Sequence, residues 1–259
     1  MAKIDFLTLK LLFMYRKILI TLAIIFGSSI IIIGISKFLF STNDNLSKKN
    51  KQVMREMIEL PAPNKKGIMS VEESLQKRRS IRQYKNISLS LEQISQVLWA
   101  AYGVSDAESF RGIKLKTAPS AGATFPLEIY LMAGNVEGIE SGLYKYHPEE
   151  HGLTLHLSGD IRDKVASACL GQRMLKDAPA SVIYNAVFDR TASRYGQRGI
   201  DRYVCMDLGH SAQNVYLQTT AIGLATCAIG AFDDDKLSKI IKPLDNEEVL
   251  YLMPFGYAK

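Results

Sequence analysis

The sequence predicts an α+β protein, because helix-like and strand-like patterns follow one another irregularly and include a hairpin. Two of the strand-like runs are almost wholly apolar, which is typical of buried strands. The 259 residues are 47% hydrophobic, which is enough to bury a large core.

The positive charge of the chain is concentrated near its N-terminus. Residues 1–67 hold eleven Lys or Arg against four Asp or Glu, whereas the whole chain carries a formal net charge of +6. The remaining residues are therefore close to neutral. Because the excess lies around an apolar segment and not along the body, it argues against a nucleic-acid partner.

The apolar segment is ILITLAIIFGSSIIIIGI, eighteen residues without a charge at positions 18–35. At ~1.5 Å per residue it spans roughly 27 Å, close to the roughly 30 Å hydrocarbon core of a bilayer. We predict a transmembrane anchor over residues 18–40 after a basic flank at residues 1–17, with a cleaved signal peptide as the alternative. The flanking charges slightly favour a single-pass membrane protein with an extracytoplasmic body.

Residues 41–67 form a predicted linker. It begins polar and lysine-rich and ends in LPAPNKKG, which contains two prolines and a glycine. The folded domain is predicted over residues 68–259, without internal repeats.

Two helices near the start of the domain share one signature. Ser70 with Glu73, and Ser90 with Gln93, match the capping box, in which two side chains satisfy amides at a helix start. The second helix carries an apolar stripe and ends at Gly103. Three later helices are predicted. One starts at Asp160, one covers about residues 203–222, and one covers residues 234–241.

The strand predictions follow from apolar runs and turn residues. LEIYLMA and ASVIYNAV read as buried strands, and GLYKYHPEEHGLTLHL reads as a hairpin with its turn at residues 148–152. A final strand is predicted in VLYLMPFGY. The strands accordingly cover residues 127–133, 142–157, 180–187 and 249–257.

Three arginines within five positions stand in SLQKRRSIRQY, residues 74–84: Arg78, Arg79 and Arg82. This density indicates an anion site, since guanidinium groups match phosphate oxygens with paired hydrogen bonds. A solvated basic helix end is the alternative, because cations suit a helix C-terminus.

Three further stretches offer polar groups or bare backbone to a ligand. TAPSAGATFPLE, residues 117–128, packs small residues into a loop, where backbone amides can approach a flat or anionic ligand; a plain connecting loop is the alternative. Gln213 and Asn214 lie in an otherwise apolar helix, where buried amides need partners. In GLATCAIGAFDDD, Gly230 offers bare backbone.

The cysteines and histidines predict neither a disulfide framework nor a metal site. Three widely spaced cysteines are expected to be buried free thiols: Cys169, Cys205 and Cys227. A solvated turn explains the cluster on the hairpin better than a metal does: His147, Glu149, Glu150, His151 and His156. His210 on the long helix is expected in the core or at a dimer interface.

Together these stretches resemble the nitroreductase superfamily of flavin enzymes, and within it the SagB/ThcOx-type branch. The resemblance covers about residues 60–259 and rests on seven motifs in family order: RRSIR, VLWAAYG, TAPSAGATFPLEIY, GLYKYHPEEH, RYGQRGIDRY, GHSAQNVYLQ and GLATCAIGAFDDD. It implies a central mixed sheet flanked by helices, an intertwined homodimer, and FMN bound at the dimer interface.

The resemblance also implies which residues hold the FMN phosphate. Arg78 and Arg82 would bind it, with Ser80 donating alongside, while Arg79 would serve the ribityl chain or only the fold. Lys259 stands where family members often carry a phosphate-binding basic residue.

The flavin ring is implied to meet two other segments. Backbone of Ile229 and Gly230 would lie near flavin N5. One loop is implied to line the flavin that the partner's arginines bind. It comprises Pro119, Ser120, Ala121 and Gly122.

The resemblance implies an FMN oxidoreductase with a ping-pong cycle, which the predicted anchor would make membrane-anchored. Two electrons, as a hydride, would pass through FMN to or from a small organic or peptide-derived substrate, with NADH or NADPH as an electron donor. A non-catalytic flavin-binding module is an alternative.

One departure from the branch bears on the substrate. Azoline-oxidising members carry a Lys-Tyr pair in the segment aligned with SRYGQR, and here the pair is Arg194 and Tyr195. Arginine cannot act as a base near neutral pH, because its pKa exceeds roughly 12. An azoline-to-azole peptide dehydrogenase therefore stays an alternative function. Tyr195 is a candidate proton donor, or a merely packed tyrosine.

Overall fold

The computed structural model of the chain describes residues 57–110, 112–244 and 246–259, with backbone alone at residues 106–110. The predicted basic flank 1–17, the predicted anchor 18–40 and most of the predicted linker lie outside these residues. Within the described ranges, no helix is both long enough and apolar enough to cross a membrane.

Seven α-helices and nine strands occur in the described part of the chain. The helices are α1 Val71–Lys77, α2 Leu91–Tyr102, α3 Arg162–Ala168, α4 Met174–Asp177, α5 Phe188–Tyr195, α6 Val204–Ala221 and α7 Asp234–Ile241. The strands are β1 Ile58–Glu59, β2 Val104–Phe110, β3 Ile113–Lys116, β4 Leu127–Ala133, β5 Gly142–His147, β6 Gly152–Ser158, β7 Ala180–Ala186, β8 Ala225–Thr226 and β9 Glu248–Gly256.

Seven of the strands form one sheet in the order β1-β6-β5-β4-β7-β9-β8, and β2 pairs with β3 in a separate hairpin. Each strand pairing in the described residues is antiparallel, so the expectation of a mixed central sheet is wrong. The α+β class is confirmed.

Helices cover both faces of the large sheet. On β4, Ile129 and Leu131 belong to the larger apolar cluster, which includes residues of α2 and α6. Tyr130 and Met132 point to the opposite side, where they join residues of α3, α4 and α7. Because both faces are buried, β4 reads as a continuous apolar run and not as an alternating one.

The predictions based on local patterns are largely confirmed. The strand at residues 127–133 has the predicted bounds, and the long helix lies one residue inside its predicted limits. Ser90 and Gln93 form the predicted capping box. Ser70 caps α1 by accepting from the amide of Glu73, and Asp233 caps α7.

The folded domain begins earlier than the predicted boundary at residue 68. Ile58 and Glu59 pair with β6 at the edge of the sheet, and Leu60 is buried. The amide of Asn64 donates to Gln96 Oε1 at 2.8 Å. Residues 57–67, assigned to a linker by composition, therefore belong to the same compact unit as the rest of the described chain.

The hairpin histidines bond to protein groups, so a purely solvated turn is the wrong description. His151 lies 2.7 Å from Ser95 Oγ and 2.8 Å from the Tyr146 hydroxyl. His147 lies 2.8 Å from Thr154 Oγ1, and His156 lies 3.0 Å from the Ile241 carbonyl. These contacts join the hairpin to α2 and to the end of α7.

A buried charge network joins three strands of the sheet. Lys145 on β5 lies 2.8 Å from Glu128 on β4 and 2.8 Å from Glu247, which is 3% exposed. Tyr130 and Asn185 also donate to Glu247. Burial would raise the pKa of Glu128, but Lys145 and Arg190 outweigh it and hold that pKa below its usual value.

We predict that Lys145→Met costs about 3 kcal/mol of unfolding free energy, because it leaves the buried carboxylate of Glu247 without a cation among the described residues and leaves Glu128 with Arg190 alone. A carboxyl with a lowered folded-state pKa stabilises above its unfolded pKa. The loss should therefore be full at neutral pH and shrink as the pH falls through the lowered pKa of Glu128. Urea unfolding at several pH values measures it.

Lys77→Met is the matched control, since Lys77 pairs with Glu73 on the exposed surface of α1. Its cost should stay below about 0.5 kcal/mol. Equal losses from the two variants would contradict a stabilising role for the buried network.

Candidate active site

The arginine-rich segment runs beside the ends of two strands. Arg78 caps α1, and the chain then extends past β8 and the residues that follow β9. The Ile81 amide donates to the Thr226 carbonyl at 3.0 Å, and the Lys259 amide donates to the Gln83 carbonyl at 3.1 Å. Residues far apart in sequence are thus brought together as the arginine cluster, defined as Arg78, Ser80, Arg82 and Lys259.

The cations of this cluster face solvent without acidic partners. Arg82 and Lys259 are exposed, and Arg78 is partly exposed with its guanidinium carbon 5.3 Å from the centre of the Tyr216 ring. Within the described residues, none of the three forms an ion pair. The cluster is therefore an uncompensated positive surface, which suits an anion.

Arg79 differs from its neighbours. Its guanidinium turns back onto the end of α1, where Nη1 donates to the carbonyls of Gln76 and Arg78 at 2.8 Å and 2.7 Å. The structure therefore places Arg79 in a helix-terminating role and directs it away from the cluster.

Tyr216, which the sequence analysis did not single out, orients Ser80. Its hydroxyl accepts from the Ala228 amide at 2.9 Å and lies 3.0 Å from Ser80 Oγ. Having accepted from the amide, the phenol can donate to Ser80, whose own hydroxyl proton is then free to donate to a ligand.

Gly230 lies beside this region and exposes its backbone, because glycine has no side chain. Its neighbour Ile229 exchanges both backbone hydrogen bonds with Leu252, at 2.9 and 3.0 Å. The Gly230 amide has no acceptor within the described chain, and a Cβ there would lie 3.3 Å from the Tyr251 ring. A cavity of about 340 Å³ adjoins Tyr251 and Tyr216 along α6.

The loop of small residues is fixed by a buried acid. Asp207 at the start of α6 is 2% exposed, accepts from Ser120 Oγ at 2.6 Å and accepts from the Ala121 amide at 3.2 Å. Burial raises the pKa of Asp207, although these two hydrogen bonds act in the opposite direction. Pro119 and Gly122 are exposed on the same loop.

Tyr195 and Arg194 pack directly on this loop. Arg194 Nη1 donates to the Gly122 carbonyl at 3.0 Å. Gly122 has a φ of +61°, and a Cβ there would lie 2.5 Å from the Tyr195 hydroxyl. The left-handed backbone at this position favours glycine, and a side chain there would displace Tyr195. The loop cluster is defined as Pro119, Ser120, Ala121, Gly122, Arg194 and Tyr195.

The two clusters lie at different levels of one helix. Asp207 holds the loop cluster and Tyr216 contacts the arginine cluster, nine residues further along α6. At ~1.5 Å per residue they are roughly 13 Å apart along the helix axis. A single chain therefore presents the two sets of groups at separate levels of α6.

Expectations for α6 and the cysteines need correction in part. Cys205 is exposed and not buried. His210 is exposed, which excludes the core alternative, and its place at a dimer interface stays a prediction. Gln213 is exposed too, whereas Asn214 donates to the Thr117 carbonyl at 3.2 Å. Cys169 and Cys227 are buried free thiols, as predicted.

Comparison with known proteins shows where the chain belongs. A sequence model described as the nitroreductase family matches residues 75–257. A Methanocaldococcus jannaschii protein named as a nitroreductase, MJ1384, is 44% identical over 203 residues, which is 78% of this chain and 98% of that protein. The trifolitoxin-processing protein TfxB of Rhizobium leguminosarum bv. trifolii is 32% identical over 113 residues, covering 42% of this chain and 30% of TfxB.

Solved structures agree with the sequence relatives. A crystal structure of a protein from Ralstonia eutropha JMP134, named as a nitroreductase, has a TM-score of 0.67 and 26% identity, covering 79% of this chain and 90% of that one. The Escherichia coli microcin synthetase McbBCD complex, with truncated pro-MccB17 bound, has a TM-score of 0.61 at 22% identity, covering 78% of each chain. The latter likeness concerns the fold alone. From the family match and the 44% identical relative, this chain belongs to the nitroreductase family of oxidoreductases.

Proposed function

We propose that this protein is an FMN-dependent oxidoreductase of the SagB/ThcOx type, acting on a small organic or peptide-derived substrate. The observation that carries the proposal is the arginine cluster, where backbone pairing brings the C-terminal Lys259 beside the arginine-rich segment and the cations have no acidic partner among the described residues. A flavin phosphate supplies the negative charge that this surface lacks.

The residues present fit FMN on chemical grounds. Arg78 and Arg82 offer guanidinium groups, Ser80 offers a hydroxyl oriented by Tyr216, and Lys259 adds a further cation beside them. Arg79 is not assigned to the cofactor, because its guanidinium is engaged by carbonyls of α1.

The ring end of the cofactor would be held by backbone. Gly230 presents an amide without an acceptor in the described chain, next to Ile229, whose backbone is fixed by Leu252. Such an amide would donate to the flavin near N5 and stabilise charge that develops there.

We infer a homodimer from the resemblance to flavin enzymes that bind FMN at a dimer interface. The loop cluster and the arginine cluster lie at different levels of α6, which is compatible with each of them serving a different copy of the flavin. In the proposed dimer, the loop cluster of one copy lines the flavin bound by the arginines of its partner.

The chemistry proposed is two-electron transfer in a ping-pong cycle, which bound FMN would supply. The chain's own residues bind, orient and hold protons. Tyr195 is the candidate proton donor, because its hydroxyl abuts Gly122 on the loop proposed to face the flavin. Arg194, which bonds to the same glycine, contributes fixed positive charge and accepts no proton.

We predict that Arg78→Ala weakens FMN binding by at least about tenfold, because charge-assisted bonds to phosphate are worth roughly 1.5–3 kcal/mol. Arg79→Ala is the matched control and should change the affinity by less than about threefold. Fluorescence titration of FMN against the two variants measures both values. Equal effects would refute the assignment of the arginine cluster to the phosphate.

The activity is tested by titrating the FMN-loaded full-length protein with NADH and then NADPH without oxygen. Bleaching of the flavin absorbance band is the expected result and identifies a nicotinamide-driven reductase. Bound flavin that neither nicotinamide nor any organic substrate bleaches identifies a non-catalytic flavin module. A folded protein that binds no flavin overturns the proposal.

Peptide azoline oxidation is the second candidate function. The similarity to the trifolitoxin-processing protein TfxB supports it, although that match covers less than half of this chain. Arg194 opposes it, because the residue is a fixed cation bonded to Gly122 where a base is needed. An azoline peptide should lose two hydrogens faster with Arg194→Lys than with the wild type, as measured by mass spectrometry. Rapid loss with the wild type would establish this candidate and remove the objection from Arg194.

We further propose that residues 18–40 anchor the protein in a bilayer, on the strength of the eighteen uncharged, mostly apolar residues at positions 18–35. The full-length protein should stay in the membrane pellet after an alkaline carbonate wash, whereas a chain lacking residues 18–40 should not. Release of the full-length chain would contradict the anchor. If protease protection places the body outside the cytoplasm, the electron donor would have to be other than NAD(P)H.

A further inference from the structure

A second cavity, of about 400 Å³, lies between the β2–β3 hairpin and the loop that precedes β4. Its walls come from four parts of the fold. They include Lys114 and Lys116 on β3, Thr124 and Phe125 on the loop, Glu149 on the β5–β6 turn and Arg190 on α5. Its volume falls in the range of small-molecule sites, and three of these six side chains are cationic.

Lys116 is the most enclosed cation of this cavity. Its ammonium lies 4.1 Å from the centre of the Tyr102 ring and 5.0 Å from that of Phe125. The two rings meet edge to face, with centroids 6.1 Å apart. Burial lowers the pKa of Lys116 to about 8, although Glu128 acts in the opposite direction. The ammonium form is thus retained at neutral pH, and the two aromatic faces replace part of its water.

The other cations of the cavity already have carboxylate partners. Lys114 pairs with Glu149 at 3.2 Å on the rim, and Arg190 forms an ion pair with Glu128. Lys116 forms no ion pair with the described part of the chain. A ligand carboxylate in the cavity would restore part of the charge stabilisation that burial takes from Lys116.

We propose that this cavity is a binding site for the carboxylate of an aromatic or aliphatic acid, with Lys116 as its charge partner and Phe125 as an apolar wall. A monoanion fits better than a dianion, because only one cation of the lining lacks a partner among the described residues. The fixed charge of Arg190 adds to the positive potential.

The position of the cavity connects it to the loop cluster. Phe125 and Gly122 lie three residues apart on one loop, and Arg190 and Arg194 lie one turn apart on α5. Arg190 donates to the Phe125 carbonyl as Arg194 donates to that of Gly122. A ligand bound through its carboxylate would therefore lie close to the face proposed to meet the flavin. Naming that ligand as the substrate rests on the proposed function, whereas the carboxylate site itself does not.

The test uses the full-length protein with two matched probes, 4-nitrobenzoate and uncharged 4-nitrobenzyl alcohol. Calorimetry measures the Kd of each. We expect the wild type to bind the carboxylate at least about tenfold more tightly, and Lys116→Met to remove that preference while changing the Kd of the alcohol by less than about twofold. Methionine keeps the length and apolar contacts of the lysine stem.

Lys114→Met is the control, since it removes a lysine from the same strand at the solvent-exposed rim. It should leave most of the preference for the carboxylate intact. Equal Kd values for the two probes in the wild type would overturn the site even if Lys116→Met failed to fold. A preference retained in folded Lys116→Met would overturn the role of Lys116.

The outcome also separates this site from the proposed function. Carboxylate preference in a protein whose flavin never turns over supports the site and sinks the oxidoreductase proposal. Flavin turnover with no preference between the probes supports the oxidoreductase proposal and overturns the carboxylate site.

Discussion

The arginine cluster depends on the backbone pairing that holds residues 80–85 against the ends of β8 and β9. The Ile81 amide bonds to Thr226 at 3.0 Å and the Lys85 amide bonds to Tyr257 at 2.8 Å. Between them Tyr84 is buried, with its hydroxyl 2.9 Å from the Pro254 carbonyl. Since the segment is fixed by main-chain bonds and one buried ring, the intervening side chains of Arg82 and Gln83 are free to face solvent. The backbone that carries Arg82 is therefore held against the edge of the sheet.

The sequence predicts the elements that depend on local periodicity and fails where pairing is non-local. The bounds of β4 follow from one apolar run, whereas its partners β5 and β7 are a matter of three-dimensional pairing that composition does not encode. The β2–β3 hairpin was missed because VSDAESF places apolar residues every third position. Register shifts between Val104 and Phe110 explain this, since bulges break the period of two that identifies a strand.

The candidate site likewise has parts that the sequence predicts and parts that only the folded chain shows. Clustered arginines mark an anion site in sequence, but Arg78 and Arg79 are indistinguishable there. The structure separates them, because Arg79 turns onto the carbonyls that end α1. Tyr216 was missed because a tyrosine in an apolar helix reads as core, and its contact with Ser80 spans 136 residues. Lys116 was missed because IKLK reads as an ordinary strand, and only the folded chain encloses it between two rings.

Helix α6 sets the relation between the two clusters through polar contacts at successive levels. Apolar packing alone tolerates small rotations of a helix, whereas buried polar groups are costly to leave without partners. Rotating α6 by one residue would turn each polar side chain by about 100° and break all of these contacts together. They join Asp207 to Ser120, Ser211 to the Ala101 carbonyl, Asn214 to the Thr117 carbonyl and Tyr216 to Ser80. The helix therefore fixes the loop cluster and the arginine cluster in one register, which is what a dimer needs if two copies are to complete each other's sites.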